Sequence, residues 1–461
     1  MRLALLLLLA ACGDNLDNAD KTQPPVVARC SEAELPAELA AIPGVTSVRP
    51  AECGNYVTGT ARCFNISLTQ PIDHETPGKT FTQQLWLAHR GCDRPMVVAD
   101  WGYSQDLFFD DELSVLFDTN TLWIEHRYQG ASVLATADWD WSALTIANGA
   151  ADMHEAIDAF KHVYGGRWVS TGASKGGITA TYHSYFYPHD LDGAVPYVAP
   201  ASRSRIDPMY QWNLDTTFTQ LCAQHIRDAQ VAALTTRRPM MLARLTPITG
   251  AGWESTYLEL MSYAFDWAFW QYYGVRYCNQ VPTSASTDDA FWDFYSSFSG
   301  ILDASPGDQE MSDGALDYEW LSEQGFALQV GAHIASLLAD PYAKETMEDH
   351  FRESFPDVTL PPYDGSVTRS VRHWVTEYAE NMLFIYGQYD PWSGGALDAP
   401  RRPTSARFFV PNATHGAAIA GLGRTEQAQA LAIAARLFGE PARMSRMERA
   451  LDATTTRSKL L

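Results

Sequence analysis

The chain has 461 residues and carries 55 acidic against 33 basic side chains, which gives a formal net charge of −22. Because phosphate binding needs clustered Lys and Arg, this balance argues against nucleic acid as a partner. Hydrophobic residues form 46% of the sequence, enough for one large domain with insertions or for two to three domains. The aromatic content of 12% suits either a lined substrate cleft or an aromatic-rich core.

The N-terminus has the pattern of a targeting signal. Arg2 supplies a positive charge, Leu3–Leu9 form an apolar run, and Cys12 follows two alanines. This order resembles a bacterial lipobox, in which the cysteine is lipidated, and the alternative is ordinary secretion. We expect residues 1–29 to be signal and tether, with a lipid on Cys12 as the sole membrane contact, in the periplasm or at the cell surface. No other apolar stretch is long enough to span a bilayer.

Cysteine usage agrees with export. The sequence has seven cysteines, and without Cys12 an even number remains, which in an oxidising compartment indicates up to three disulfides. The connectivity stays open, since six cysteines can pair in many ways. Cys53 and Cys63 are close in sequence and could pair locally. Cys222 with Cys278 would link the middle of the chain, and Cys30 with Cys92 is then left by elimination.

The first predicted elements are strands, followed by a helix. Arg62–Gln70 and Phe81–His89 alternate apolar and polar side chains enough to predict antiparallel strands. Pro95–Asp100 and Thr121–His126 are candidates for buried strands. Apolar residues near helical spacing then predict a helix over Leu144–Tyr164, which ends before two glycines.

The segment around Ser174 has a Gly-x-Ser-x-Gly pattern. It follows a β-prone run, Arg167–Ser170, and precedes a predicted helix over Ile178–Tyr187. A strand, a tight turn and a helix form the context of a nucleophile elbow, in which small neighbours allow a strained serine. The alternative is a glycine-rich turn with an exposed serine. A strand over Gly193–Pro200 continues the alternation of strand and helix and so indicates a parallel sheet.

Residues 201–372 differ in character, because long helix-prone and aromatic-rich segments replace the alternation of strand and helix. Trp253–Tyr273 and Asp288–Phe298 are examples. We interpret this region as a helical cap inserted into an α/β-hydrolase core with a largely parallel sheet, formed by residues 30–200 and 373–461. The alternative is a separate helical domain with no role at the site.

Two later segments complete the pattern begun at the serine. Met382–Trp392 starts as an apolar strand and turns at Asp390, and Arg407–Gly416 starts as a strand and ends in a loop with His415. The order Ser, Asp, His is that of the α/β-hydrolases, and the carboxyl ends of parallel strands meet at one sheet edge. A final helix is predicted over Thr425–Phe438, with Thr425 as its N-cap.

These residues have the chemistry of acyl transfer. Ser174 is a weak nucleophile unless a base takes its proton, and His415 is the candidate base. Asp390 would orient the imidazole and stabilise the imidazolium. We therefore expect a catalytic triad of Ser174, His415 and Asp390.

The developing oxyanion needs two N–H donors. The backbone N–H of Lys175, directly after the serine, is the first candidate. Gly102 or Tyr103, after the strand that ends at Asp100, is expected to supply the second, although Gly102 can also be an ordinary turn glycine. The Lys175 side chain either supports the site or is a packed helix lysine.

Glu125 is the candidate for binding the substrate. It ends a predicted core strand at the active edge, where a buried carboxylate could bind a substrate ammonium. The alternative is a structural ion pair with Arg127 or His126.

Four segments in chain order carry a family resemblance, namely Glu125–Tyr128 (EHRY), Gly172–Gly177 (GASKGG), Gly387–Trp392 (GQYDPW) and Thr414–Gly416 (THG). Together they resemble the secreted prolyl tri/tetrapeptidyl aminopeptidases of bacteria. Those enzymes are serine peptidases related to the prolyl carboxypeptidase and dipeptidyl-peptidase group. The similarity extends from about Arg62 to Leu437 and includes the helical insertion.

The resemblance implies an activity and a set of site residues. Members of the family cleave short peptides from a free N-terminus, often after proline, with a triad that maps onto Ser174, Asp390 and His415. The resemblance also implies an acidic residue that binds the N-terminal amine of the substrate. Glu125 is at a position that matches the family motif. The apparent lipobox departs from the plain secretion signal that is usual in the family.

The sequence thus predicts an exported serine exopeptidase that acts on peptide substrates through an acyl-enzyme. One alternative is an esterase or lipase with the same triad. The other is a catalytically silent surface binding protein on a hydrolase scaffold. No CxxC, HExxH or Cys/His grouping occurs, so we expect no metal and no cofactor.

Overall fold

The computed structural model describes residues 29–76, 78–134, 139–218, 220–297, 311–327, 331, 333–340, 345–447 and 449–450. The predicted signal, the lipidation site Cys12 and nearly all of the tether lie outside these residues. Within the described part, no helix is both long and apolar enough to cross a membrane.

A nine-stranded sheet forms the centre of the fold, in the order β1-β2-β3-β5-β4-β6-β7-β10-β11. Strands β1, β2, β3 and β5 pair antiparallel, and β5, β4, β6, β7, β10 and β11 pair in parallel. This is the sheet of an α/β-hydrolase, as predicted. The strands are β1 (Val45–Ala51), β2 (Arg62–Pro71), β3 (Thr80–His89), β4 (Met96–Asp100), β5 (Asn120–Ile124), β6 (Trp168–Ala173), β7 (Gly193–Tyr197), β10 (Leu383–Gly387) and β11 (Ala406–Val410), with a separate parallel pair, β8 (Ile206–Asp207) and β9 (Phe326–Ala327).

Helices cover the sheet and fill the segment between β7 and β10. Those of the first part are α1 (Leu35–Ala40), α2 (Glu112–Phe117), α3 (Ile146–Lys161) and α4 (Lys175–Phe186). Those of the middle part are α5 (Met209–Thr216), α6 (Gln220–Leu234), α7 (Arg238–Thr249), α8 (Glu254–Ala268), α9 (Asp288–Ser296), α10 (Met311–Glu319) and α11 (Met347–Ser354). The last two are α12 (Ser366–Glu377) and α13 (Arg424–Phe438).

Most strand and helix predictions are confirmed to within a few residues, but the predicted N-cap of the last helix is not. Helix α13 begins at Arg424, with Gly423 as its N-cap and no capping side chain. The prediction of Thr425 as the N-cap is therefore wrong, because the chain turns helical one residue earlier and Thr425 lies inside the first turn. Gly439 ends the helix with a left-handed φ of 73°, a conformation that glycine adopts without steric cost.

The segment with helices α5 to α11 and strands β8 and β9, residues 206–354, has an apolar cluster of its own and is called the cap below. Its cluster includes Phe265, Trp267 and Trp270, and Trp392 of the core packs against it. Helix α12 belongs with the sheet instead, because Val371 on it packs in one cluster with core side chains. The predicted boundary after residue 372 falls inside this helix.

Three disulfides occur among the described residues, with the pairing that sequence proximity and elimination suggested and that the sequence left open. Cys30 bonds Cys92 and Cys53 bonds Cys63, both in the first part of the core. The third pair, Cys222 and Cys278, lies within the cap. Disulfides persist in oxidising compartments, so these bonds support an exported protein.

Candidate active site

Ser174 occupies a strained turn between β6 and α4. Its φ of 56° and ψ of −126° lie outside the regions that an L-residue favours. The turn is tight because α4 starts at the next residue and presses against the end of β4. A Cβ on Gly176 would lie 2.8 Å from the Cα of Trp101, so no larger residue fits there. This strand–turn–helix geometry is that of a nucleophile elbow.

Asp390 and His415 meet at the same edge of the sheet. Asp390 follows β10, is fully buried, and accepts a 3.1 Å bond from the N–H of Trp392. Its Oδ2 lies 2.8 Å from Nδ1 of His415, in the loop after β11. Because a carboxylate only accepts, Nδ1 carries the proton. The opposite nitrogen, Nε2, is buried without a hydrogen-bond partner among the described residues and can act as a base.

Gly102 does not offer the free N–H that the sequence predicts. Its N–H donates to Oδ1 of Asp100 at 2.7 Å, and its carbonyl accepts from Nζ of Lys175 at 2.8 Å. This contact argues against the expectation that the Gly102 N–H binds an oxyanion, because a nearby carboxylate already accepts its proton.

Tyr103 comes to the site through its side chain. The side chain is half-buried, lines the same pocket as Ser174 and Lys175, and places its phenol near the Ser174 hydroxyl and the backbone N–H of Lys175. Burial raises the pKa of Tyr103, so the phenol keeps its proton at neutral pH. The phenol O–H is thus a donor beside the nucleophile and beside the predicted Lys175 N–H. Sequence patterns indicated the residue but not this group.

Glu125 is held inside the protein. Its Oε1 accepts from the N–H of Gln105 at 2.9 Å, and its Oε2 accepts from the N–H and the hydroxyl of Ser132, both at 2.7 Å. The residue is 1% exposed, and burial raises the pKa of its carboxyl. These contacts argue against the expected role in binding a substrate ammonium. The carboxylate instead joins two loops at the end of β5.

The side chain of Lys175 is also buried. Its Nζ forms an ion pair with Oε2 of Glu319 at 2.6 Å, at the end of the cap helix α10. His126, which the sequence suggested as a possible ion-pair partner of Glu125, forms ion pairs with Asp100 and Glu319 instead. Sequence reasoning missed Glu319, because it lies in an acidic stretch with no pattern that singles it out.

One grouping of possible metal ligands occurs in the described ranges, at Glu32, His89 and Cys92. Cys92 is in a disulfide with Cys30 and offers no thiolate. The grouping therefore does not have the chemistry of a metal site.

Comparison with known proteins agrees with this geometry. A family model described as PS-10 peptidase S37 matches residues 30–452. The chain belongs to this peptidase family. It is also 30% identical to the prolyl tri/tetrapeptidyl aminopeptidase of Streptomyces mobaraensis over 460 residues, covering 93% of this chain and 89% of the relative. The family predicted from the four motifs is confirmed, and the protein is a serine-type aminopeptidase.

Solved structures are similar to the peptidase at low identity. The homoserine O-acetyltransferase of Staphylococcus aureus is 14% identical with a TM-score of 0.38, over 82% of this chain and 95% of that one. An α/β fold family hydrolase of Bacillus anthracis is 11% identical with a TM-score of 0.34, over 84% and 99%.

Aromatic side chains form one wall of the peptidase's pocket next to Ser174. Trp320 and Phe326 of the cap and Trp392 of the core all line it. The ring centroids of Trp320 and Phe326 are 4.7 Å apart, and those of Phe326 and Trp392 are 5.7 Å apart. The cap and the core therefore both contribute to the surface of the pocket next to Ser174.

Gln271 of the cap links both loops of the acid–base pair. It lies in a π-helical turn, Phe269–Tyr273, and its carbonyl accepts the N–H of His415 at 3.1 Å. Its side-chain Oε1 accepts the indole N–H of Trp392 at 2.9 Å and that of Trp267 at 3.1 Å. This residue was also missed from the sequence, because its partners are far away in the chain.

We expect Gln271→Met to lower kcat/KM by about 10-fold, because two indole N–H groups lose their acceptor and the loop of Asp390 loses a support. Gln271→Glu keeps an acceptor oxygen and is expected to stay within about threefold of the wild type. Steady-state kinetics on a peptide p-nitroanilide measure both. Equal losses in the two variants would show that hydrogen bonding by this side chain does not matter.

Proposed function

We propose that this aminopeptidase releases tri- or tetrapeptides from free N-termini, with proline preferred at the cleaved bond, through an acyl-enzyme on Ser174. The observation that carries the proposal is the 2.8 Å pair of His415 and Asp390, at the same sheet edge as Ser174. The name of the Streptomyces mobaraensis relative supports the peptide length and the proline preference.

Each residue has a defined step in the proposed reaction. The Ser174 hydroxyl attacks the scissile carbonyl carbon while Nε2 of His415 takes its proton, and Asp390 stabilises the imidazolium. The oxyanion accepts hydrogen bonds from the Lys175 N–H and the Tyr103 phenol. His415 then protonates the leaving amine, the C-terminal product departs, and water hydrolyses the acyl-enzyme with His415 as its base.

The aromatic wall supports a preference for proline. Trp320, Phe326 and Trp392 present apolar ring surfaces next to the nucleophile. A pyrrolidine ring is compact, rigid and apolar, so it can bury its surface against such rings at little entropic cost. The same surface suits the acyl side of the cleaved bond, which stays attached to Ser174 in the intermediate.

We expect Ser174→Ala to lower kcat by about 10⁴-fold or more and to abolish labelling by a fluorophosphonate, because the nucleophile is removed. Ser170→Ala is the matched control. Ser170 lies in β6, the strand that leads to Ser174, and its buried hydroxyl has no partner among the described residues. We expect this control to keep normal kinetics and labelling. Normal turnover in Ser174→Ala would refute the assignment of the nucleophile.

N-terminal recognition is tested with Ala-Ala-Pro-p-nitroanilide, with its amine either free or succinylated. An aminopeptidase that reads the ammonium is expected to cleave the free form at least about 100-fold faster, because blocking removes the charge and adds bulk. Equal cleavage of both forms would contradict an exopeptidase and indicate an endopeptidase. No cleavage of either form, in protein that still labels with a fluorophosphonate, would favour the esterase alternative.

We also propose that the peptidase is exported and held at a membrane by a lipid on Cys12. The order of the first residues and the three disulfides support this location. In a bacterial host that lipidates exported cysteines, the full chain is expected in the membrane fraction. Cys12→Ser is expected in the soluble exported fraction, because no acyl chain remains to hold it. An unchanged distribution would rule out the anchor.

A further inference from the structure

Four charged side chains meet beneath the nucleophile turn. Asp100 ends β4, His126 follows β5, Lys175 starts α4, and Glu319 ends α10 of the cap. Each is at most 4% exposed. Apart from the Lys175 backbone, the mechanism proposed above uses none of them.

Glu319 bridges the two cations of this group. Its Oε2 lies 2.6 Å from Nζ of Lys175, and its Oε1 lies 2.9 Å from Nε2 of His126. Nδ1 of His126 in turn lies 2.9 Å from Oδ2 of Asp100. The four side chains therefore form a continuous chain of contacts from the end of β4 to the cap.

Both ends of this chain hold the backbone at Gly102. Nζ of Lys175 donates to the Gly102 carbonyl at 2.8 Å, and the Gly102 N–H donates to Oδ1 of Asp100 at 2.7 Å. The Lys175 side chain passes so close to this residue that a Cβ on Gly102 would lie 2.5 Å from its Cγ. Tyr103, whose phenol is beside Ser174, is the next residue. A shift of Lys175 or Asp100 would therefore move the Tyr103 phenol.

The group is charged and balanced at neutral pH. Burial disfavours the charge of His126, but Asp100 and Glu319 outweigh it and raise the pKa of His126 to about 9, although Lys175 opposes them. Burial likewise opposes the charge of Glu319, but Lys175 and His126 lower its pKa to about 2. Two carboxylates thus face two cations. The charge of Glu319 also acts at longer range on the Arg127 guanidinium and the Tyr103 phenol, and raises the pKa of each.

We propose that Glu319 is a positioning residue, which fixes the oxyanion donors of Lys175 and Tyr103 through its ion pairs with Lys175 and His126. The proposal rests on the proposed function in taking Ser174 as the nucleophile and Lys175 and Tyr103 as the oxyanion donors. Without the Glu319 charge, two buried cations share one carboxylate, Asp100. The Lys175 ammonium then loses its closest anion, and the Gly102–Tyr103 segment loses a fixed neighbour. Because the oxyanion forms only in the transition state, the effect falls on kcat rather than on KM.

The first test is Glu319→Gln, with Glu259→Gln as its matched control. Glu259 is also a buried, ion-paired cap carboxylate, bonded to Arg238, but it contacts none of the four side chains. We expect Glu319→Gln to lower kcat and the rate of fluorophosphonate labelling by about 10-fold or more, because misplaced donors stabilise the oxyanion poorly. KM is expected to change by less than about threefold. A wild-type labelling rate in Glu319→Gln, or an equal loss in Glu259→Gln, would overturn the proposal.

The pH profile separates positioning from a general loss of packing. A basic group with a raised pKa keeps its charge below that pKa and loses it as the pH rises through it. In the wild type, His126 therefore stays charged up to about pH 9. In Glu319→Gln, one carboxylate that raises this pKa is gone. The fall of the labelling rate at alkaline pH is therefore expected to begin at lower pH in Glu319→Gln than in the wild type. An unchanged alkaline profile would contradict a role of the His126–Glu319 ion pair. Labelling needs no peptide, so it tests positioning even if peptides are not the substrate.

A double variant keeps the test decisive if Glu319→Gln folds poorly. Lys175→Met with Glu319→Gln removes one charge of each sign and leaves the pair of Asp100 and His126. Because Lys175 carries one donor and contacts the segment of the other, the double variant is expected to lose at most about threefold more of the labelling rate than Lys175→Met alone, and this remainder acts through His126. Losses that multiply would show independent roles and overturn the proposal.

Discussion

The close approach of α4 to the end of β4 is the constraint on which the site depends. Gly176 lies against the backbone of Trp101 at a distance that leaves no room for a Cβ. This contact forces Ser174 into its strained backbone, a conformation that costs about 1–3 kcal/mol. The same contact brings the N–H of Lys175 beside the loop of Gly102 and Tyr103. The positions of the proposed nucleophile and of its proposed oxyanion donors therefore follow from one packing contact between a strand and a helix.

The cap contributes to both halves of the site by polar contacts. Glu319, at the end of α10, contacts Lys175 on the side of the oxyanion donors. Gln271, in the turn after α8, accepts the N–H of His415 and the indole N–H of Trp392 on the side of the acid and the base. A segment that only covered the substrate would need neither contact. Movement of the cap would disturb both halves of the catalytic geometry at once.

Strand order explains which site residues the sequence could predict. Ser174, Asp390 and His415 follow apolar runs, and the ends of parallel strands must meet at one edge. Glu125 also follows such a run, yet its oxygens are taken by backbone N–H groups of loops whose paths no sequence pattern specifies. The bond from the Gly102 N–H to Asp100 likewise depends on a loop path that no sequence pattern specifies. Glu319 could not be foreseen either, because its contacts depend on how the cap folds back over the sheet.

A buried network of ion pairs is weak evidence that the network stabilises the folded protein. Desolvation of two acids and two bases offsets much of their mutual attraction, and apolar residues of similar size often give an equally stable protein. The group around Glu319 is balanced in charge, fully paired and in contact with the segment that carries Tyr103. Hydrogen bonds and ion pairs have preferred directions, whereas apolar contacts do not. Such a group can therefore hold one loop conformation among several of similar packing energy, which is what a pair of oxyanion donors requires.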